Sequence, residues 1–151
     1  MRRGLEMFSK TVEEDFEKLF GHDKARVLIE EVRQHKSPWN VAINPNLIKD
    51  INQFDDPNAK KSLFADLFSL ITTFPISRKE KDITELRNGR FGDYLGWRIR
   101  INKYRLIFFT NEGGRQLYLH SFDKKHEDEE TYDLSKLAAR KIRAFFLRID
   151  E

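Results

Sequence analysis

The sequence predicts an α+β fold in which helices pack on one face of a small, mainly antiparallel β-sheet. Two observations lead to this class. Apolar residues recur at helical spacing in the first half of the chain and at its end, whereas residues 96–122 contain β-rich runs separated by turn signals. With 151 residues and a hydrophobic content of 39%, the chain can form one domain with a buried core. We expect a helical N-terminal extension over residues 1–38 and the main domain over residues 39–151.

The N-terminal extension is predicted to form two helices within residues 9–36. Gly21 ends the first helix, and the second ends before Pro38. The first helix is strongly acidic. Three roles remain open for this helix pair: it can form a homodimer, cover a basic surface as a lid, or supply an additional docking surface.

A short strand and two helices follow the extension. The strand is expected at residues 39–43, and a small helix begins after Asn44. Asp56 is a predicted N-cap, and it is followed by a proline whose missing N–H costs nothing in the first turn. The second helix should therefore run from this cap to about Thr73. Residues 76–95 are predicted to be a polar connection that contains glycine.

Residues 96–109 are typical of a tight β-hairpin. Apolar and polar residues alternate before Asn102 and Lys103, which can make a two-residue turn, and a β-rich run follows. This turn fixes the register and places Arg100 opposite Arg105. One face then carries the apolar residues Trp97, Ile99, Ile101, Tyr104, Leu106 and Phe108, and the other carries Arg98, Arg100 and Arg105.

The clustering of the three arginines predicts an anion-binding site. Like charges opposite each other destabilise a sheet, so such a cluster indicates an anionic ligand, and guanidinium binds phosphate through its planar fork. From Arg78 to Lys125 there are 12 Lys and Arg against 6 Asp and Glu, a local charge of +6 in a chain of net charge +3. This charge favours a polyanion as partner, although a solvated basic surface is the simpler alternative.

The C-terminal part of the chain is predicted to form a last strand and a closing helix. A Gly-Gly turn leads into a strand over residues 116–122, and a basic and then acidic loop follows at residues 123–131. Asp133 can cap the final helix. Its apolar stripe consists of Leu134, Leu137, Ala138, Ile142, Phe145 and Ile149.

Several classes of chemistry are disfavoured by the sequence. The chain has no cysteine, which excludes disulfides, thiolate metal ligands and a thiol nucleophile. The spacing of His120 and His126 does not resemble a metal site, and nucleotide-binding loop motifs are missing, so we expect no metal and no cofactor. Since no apolar run approaches the roughly 18 residues of a membrane span, and none resembles a signal peptide, we expect no membrane association.

A basic site beside hydroxyl and amine side chains meets the requirements of RNA cleavage. RNA supplies its own nucleophile, the 2′-OH, so the protein must only stabilise the pentavalent phosphate and move protons. Arg and Lys can stabilise the charge, and Tyr, His or Lys can transfer protons. Lys124, Lys125 and Tyr132 are candidates, although a solvated loop and a packed aromatic are the simpler interpretations of these positions.

The segment from Arg98 to Phe108 resembles the central hairpin of RelE/ParE-superfamily toxins from bacterial type II toxin–antitoxin systems. The segment from Leu119 to Lys125, with a downstream Tyr or Thr and a closing helix, resembles the same family and agrees best with its RelE and HigB branches. The resemblance covers about residues 39–151. It implies a cytoplasmic, metal-independent endoribonuclease that cuts mRNA in the ribosomal A site and is neutralised by a cognate antitoxin. The implied products are a 2′,3′-cyclic phosphate and a 5′-hydroxyl.

The resemblance also implies roles for basic residues. Arg98 and Arg100 fall where these enzymes carry basic side chains on the strand before the turn. Arg105 falls on the arginine that contacts the scissile phosphate. Lys125, or its neighbour Lys124, falls on the basic residue after the last strand.

The proton-transfer group is implied at one of two positions. Tyr132 falls one residue from the tyrosine that stacks on the base or acts as general base, and Thr131 occupies the strict position. His126 is the alternative base. We further expect RNA contacts from Lys103, Lys124, His126 and Trp97.

Two features depart from the family pattern. The acidic run at residues 127–130 replaces a basic loop, and the helical extension precedes the usual first strand. Two other functions therefore stay open: a non-catalytic ParE-like toxin that inhibits DNA gyrase, and a protein that binds nucleic acid without cleaving it.

Overall fold

The computed structural model of the protein describes residues 10–35, 39–74 and 83–124. Over these ranges the chain forms four helices and one five-stranded sheet, which confirms the predicted α+β class. The helices are α1 (Lys10–Phe20), α2 (His22–Gln34), α3 (Pro45–Phe54) and α4 (Pro57–Thr73). The strands are β1 (Asn40–Ile43), β2 (Ile83–Phe91), β3 (Tyr94–Ile101), β4 (Tyr104–Asn111) and β5 (Gln116–Lys124).

The helices begin and end at residues whose chemistry explains the boundaries. Gly21 separates α1 from α2 with a φ of 85°, which glycine adopts without strain. At the start of α3, the side chain of Asn44 accepts a hydrogen bond from the backbone N–H of Asn46 (3.1 Å). Asp56 accepts the N–H of Ala59 (3.1 Å) at the start of α4, so the predicted N-cap is confirmed.

The strands follow the order β1-β5-β4-β3-β2. β1 pairs with β5 in parallel and the other three pairs are antiparallel, so the sheet is mainly antiparallel, as predicted. The prediction of a polar connection over residues 76–95 is wrong where β2 forms. The antiparallel part of the sheet therefore has one strand more than the predicted hairpin and last strand. The register of β2 with β3 shifts between Glu85 and Arg90, which interrupts the alternation of side chains. Pairing with β3 therefore makes this segment a strand despite its weak local pattern.

One hydrophobic core joins the helices to one face of the sheet. Phe16 of α1, Leu28 of α2, Leu63 of α4 and Ile99 of β3 belong to it, each with at most 1% of its surface exposed. Helix α1 also contacts α3 and β1, and α2 contacts α4. The α1–α2 pair thus packs with α3 and α4 on the side of the sheet that Ile99 faces. This placement does not support the interpretation of the acidic helix as a lid over the basic hairpin surface.

Other parts of the predicted organisation are not tested by this arrangement. The boundary between residues 1–38 and 39–151 and the formation of a homodimer through α1 and α2 stay predictions. The closing helix expected from Asp133 onward lies outside the described residues. Of the helices that the structure describes, none combines the length and the apolar character needed to cross a bilayer.

Candidate nucleic-acid interface

The β3–β4 hairpin has the register that its sequence predicted. Asn102 and Lys103 form the turn, and Arg100 is paired with Arg105 across the two strands. The backbone of Asn102 has a φ of 54°. Asparagine tolerates this left-handed conformation better than most residues. Because side chains alternate between the faces of a strand, Arg98, Arg100 and Arg105 share the face opposite the core. This surface is called the arginine face below.

The three arginines differ in their access to solvent. Arg100 is exposed and Arg98 is half-buried, whereas Arg105 keeps only 3% of its surface exposed. The guanidinium of Arg105 donates a hydrogen bond from Nη1 to the backbone carbonyl of Tyr104 (3.1 Å). Burial of a charge is costly without such partners. Arg105 is therefore held in place by the protein itself, and Arg100 is the guanidinium that a ligand reaches most easily.

The arginine face is basic near the turn and apolar further along the strands. Ile107 and Phe109 follow Arg105 on the same face of β4, and Phe109 is paired with Tyr118 of β5. These three apolar side chains have at most 2% of their surface exposed. Ala42 of β1, paired with Tyr118, is buried as well. The positive charge is thus concentrated at the turn end of the hairpin.

His120 of β5 also lies on the arginine face, beside the apolar residues. Its ring contacts the ring of Phe109 (centroids 5.5 Å apart) and that of Tyr118 (5.9 Å), both edge to face. The register of β4 with β5 shifts after Ile107, next to this position. The sequence predicts no role for His120, because a single histidine in a strand is not distinguished from its neighbours by alternation alone. A half-buried imidazole on this face is a proton-transfer candidate that the sequence reasoning missed.

The end of β5 brings an acidic residue, not a lysine, into register with the buried arginine. Asp123 is paired with Arg105, and Lys124 is paired with Tyr104. The role of Lys124 as an RNA contact stays a prediction. The predicted site residues Lys125, His126 and Tyr132 lie outside the described residues, and their roles stay predictions as well.

Trp97, which we expected to contact RNA, is a core residue. Only 7% of its surface is exposed, and its ring packs edge to face against Phe74 (centroids 5.1 Å apart). The indole Nε1 donates a hydrogen bond to the hydroxyl of Thr110 (3.0 Å). The expectation for Trp97 is therefore corrected: its large apolar ring is buried behind the hairpin, on the face opposite the arginines. Lys103 is exposed at the turn, as an RNA contact requires.

Tyr104 connects the turn end of the hairpin to the helices. Its hydroxyl donates a hydrogen bond to Oδ2 of Asp56 (3.1 Å), while Oδ1 of Asp56 caps α4 through Ala59. Burial, with the hydrogen bond and charge of Asp56, raises the pKa of Tyr104. The pKa of Asp56 is lowered mainly by the hydrogen bond from the backbone N–H of Ala59. The hydrogen bond from Tyr104 and the charge of Lys103 lower it further. Asp56 is therefore an ionised acceptor at neutral pH.

Within residues 10–35, 39–74 and 83–124, no group of three or more His, Asp or Glu side chains could hold a metal ion. The arrangement that these ranges show is a set of guanidinium groups with a histidine further along the same face of the sheet. Such a set can bind a phosphate and stabilise charge on it.

Comparison with solved structures identifies the fold. The crystal structure of an archaeal RelE–RelB complex from Pyrococcus horikoshii OT3 matches with a TM-score of 0.50 and 18% identity, over 60% of this chain and 99% of that chain. The chain has the RelE-like fold. At this identity the likeness concerns the fold alone. No protein-family model matches the chain, and no curated protein matches it. Assignment of this RelE-like chain to the RelE or HigB branch stays a prediction.

Proposed function

We propose that this chain is the toxin of a toxin–antitoxin pair and a metal-independent endoribonuclease that cleaves mRNA on the ribosome. The observation that carries the proposal is the common face of Arg98, Arg100 and Arg105 on the central hairpin of a RelE-like fold. Arg100 and Arg105 are directly opposed, and opposed residues of a sheet are about 5 Å apart. Arg98 lies two residues before Arg100 on the same face, so the three arginines are close enough for one short stretch of RNA backbone. Such a surface suits the phosphate backbone of RNA.

The chemistry assigns different roles to the arginines. Arg100, which is exposed, meets the phosphate first, and its planar fork can bind two phosphate oxygens. Arg105 is buried and oriented by the carbonyl of Tyr104, so its charge acts on the pentavalent phosphate with little solvent screening.

Proton transfer completes the proposed reaction. The RNA 2′-OH attacks the adjacent phosphate and loses its proton to a general base, and the leaving 5′-oxygen takes up a proton from a general acid. Tyr132 and His126 are the groups that the sequence predicts for this task, with Lys125 or Lys124 near the phosphate. His120 is an additional candidate because its ring lies on the arginine face. The products are a 2′,3′-cyclic phosphate and a 5′-hydroxyl.

The partner of this toxin is a cognate antitoxin protein encoded with it. A solved structure that shares the fold is a RelE–RelB complex, and we extend that pairing to this chain. We place the pair in the cytoplasm, where the ribosome-bound mRNA substrate is found.

Inducible expression in bacteria tests the proposal. We expect the full chain to arrest translation and to generate new mRNA 5′ ends, mapped by primer extension. Arg100→Ala and Arg105→Ala should abolish both effects. Lys49→Ala removes the same charge from an exposed site on α3 and should leave them intact. Because Arg105 is buried, each variant is first shown by circular dichroism to be folded.

Full toxicity of both arginine variants would rule out the proposed mechanism. Growth arrest with altered plasmid supercoiling and intact mRNA would instead identify a gyrase inhibitor. RNA binding without new transcript ends would identify a nucleic-acid binder that does not cleave.

A further inference from the structure

We infer that Asp56 is a positioning residue for the arginine face, and that it acts on Arg105 through Tyr104. Asp56 lies between α3 and α4, far from the hairpin in sequence, and sequence analysis assigned it only an N-cap. The expected effect on RNA cleavage rests on the proposed function. The expected effect on the positions of the arginine side chains does not.

A continuous chain of contacts supports this role. Oδ2 of Asp56 accepts the hydroxyl of Tyr104 (3.1 Å), and the backbone carbonyl of Tyr104 accepts Nη1 of Arg105 (3.1 Å). Tyr104 is the first residue of β4 and follows the two-residue turn directly. A displacement of Tyr104 that reaches its backbone therefore moves the carbonyl that orients Arg105, and it shifts the strand that pairs Arg105 with Arg100.

The ring of Tyr104 is held by packing, whereas its hydroxyl is held by Asp56. The ring stacks on Phe122 (centroids 4.9 Å apart) and packs against Phe54 (5.0 Å). Asp56, Lys103 and Tyr104 also line a surface cleft of about 470 Å³ between the α3–α4 junction and the hairpin turn. Because this junction is open to the cleft on one side, the hydrogen bond from Tyr104 to Asp56 supplements the packing of Tyr104 against Phe54 and joins the hairpin to the start of α4.

Asp56 itself is fixed, which makes it a suitable anchor. Its Oδ1 accepts the N–H of Ala59 and its backbone carbonyl accepts the N–H of Lys60 (3.0 Å), so the residue is part of the first turn of α4. The preceding Asp55 adopts a left-handed conformation with a φ of 49°. One carboxylate thus caps a helix with one oxygen and holds the turn end of the hairpin with the other. Residues that orient ligand-binding groups in this way commonly control the precision of a site.

Two variants separate this role from helix capping. Tyr104→Phe removes only the hydroxyl and keeps both the ring packing and the cap. Asp56→Ser keeps an N-cap side chain but lacks the second oxygen, because serine is also a favoured cap. Thr110→Val is the matched control: it removes a buried hydrogen bond at the opposite end of the same hairpin, at Trp97.

The experiment measures RNA cleavage kinetics and the NMR signals of the arginine Nε–Hε groups in the full chain. In both test variants we expect kcat to fall roughly tenfold with KM nearly unchanged, since small displacements of catalytic groups have effects of this order or larger. The double variant should show no further loss, because both substitutions break one contact. The signals of Arg100 and Arg105 should shift in both variants and stay in place in Thr110→Val.

Two results would overturn the inference: unchanged arginine signals in Tyr104→Phe and Asp56→Ser, or an equal change in Thr110→Val. If the unsubstituted chain cleaves no RNA while the arginine signals still shift in the test variants, the proposed function fails and the positioning role stands.

Discussion

Arg100 and Arg105 are directly paired across β3 and β4, yet Arg100 is exposed and Arg105 keeps only 3% of its surface exposed. Like charges in this position oppose sheet formation. In this sheet the two guanidinium groups have different surroundings: Arg105 donates a hydrogen bond to the backbone carbonyl of Tyr104, and Arg100 is exposed to solvent. The pair therefore combines one buried guanidinium with one that is exposed to solvent, and substitutions at the two positions should have different effects on stability.

The first prediction concerns Arg100 and the salt dependence of RNA binding. Arg100→Ala should weaken binding of a short single-stranded RNA of mixed sequence and leave the free energy of unfolding nearly unchanged, since the side chain is exposed. Loss of one phosphate contact should reduce the slope of log K against log salt by about 0.7. Fluorescence anisotropy over a series of salt concentrations measures this slope. Lys49→Ala, which removes an equal charge on α3, should leave the slope unchanged; the same reduction in both variants would show that only net charge matters.

The hairpin and the helix caps were predictable because their signals are local. The turn at Asn102 and Lys103 and the alternation around it determine which residues are opposed, and Asp56 followed by proline specifies a helix start. The same alternation placed Trp97 on the apolar face. Its expected contact with RNA is wrong because its position in the alternation, and not its residue type, determines that the ring is buried.

The features that could not be predicted depend on residues that are distant in sequence. β2 exists because it pairs with β3 across an irregular register, so its own sequence shows little periodicity. The contact of Asp56 with Tyr104 joins residues 48 positions apart. The burial of Arg105 likewise follows from tertiary packing, which the pattern of one hairpin cannot show.

The hydrogen bond between Trp97 and Thr110 gives the second prediction. Thr110→Val keeps the shape of the side chain and removes the hydroxyl that accepts the indole N–H. Because Thr110 is 3% exposed and Trp97 is buried too, the loss should lower the free energy of unfolding by about 1 to 3 kcal/mol. Urea denaturation followed by circular dichroism measures the change. In a Trp97→Phe background, Thr110→Val should lower the free energy of unfolding by clearly less. An equal loss in that background would show that the effect of Thr110→Val does not come from its hydrogen bond with the indole.

The third prediction concerns the ion pairs that join α1 to α2. Glu13 accepts hydrogen bonds from Arg26 (3.1 Å) and Arg33 (2.6 Å), and these side chains are only partly buried. Glu13→Gln should therefore lower the free energy of unfolding by about 1 kcal/mol, and by less at high salt. Glu14→Gln, an exposed change on the same helix, should have a smaller effect, roughly 0.5 kcal/mol or less. Equal losses in the two variants, or no dependence on salt, would argue against these ion pairs.

The fourth prediction concerns Asp15 of α1 and the dependence of stability on pH. Only 7% of Asp15 is exposed, and burial, partly opposed by the charge of Lys18, raises its pKa from 3.8 to about 6. Since the folded-state pKa is above the unfolded value, the contribution of Asp15 to stability is fully present below about pH 4 and is lost as the pH rises through 6. Asp15→Asn should match the wild type near pH 4 and exceed its free energy of unfolding by about 1 to 3 kcal/mol above pH 6. Chemical denaturation across this range, with the exposed Asp93→Asn as control, measures the difference; a constant difference from pH 4 to pH 7 would show that Asp15 does not titrate in this way.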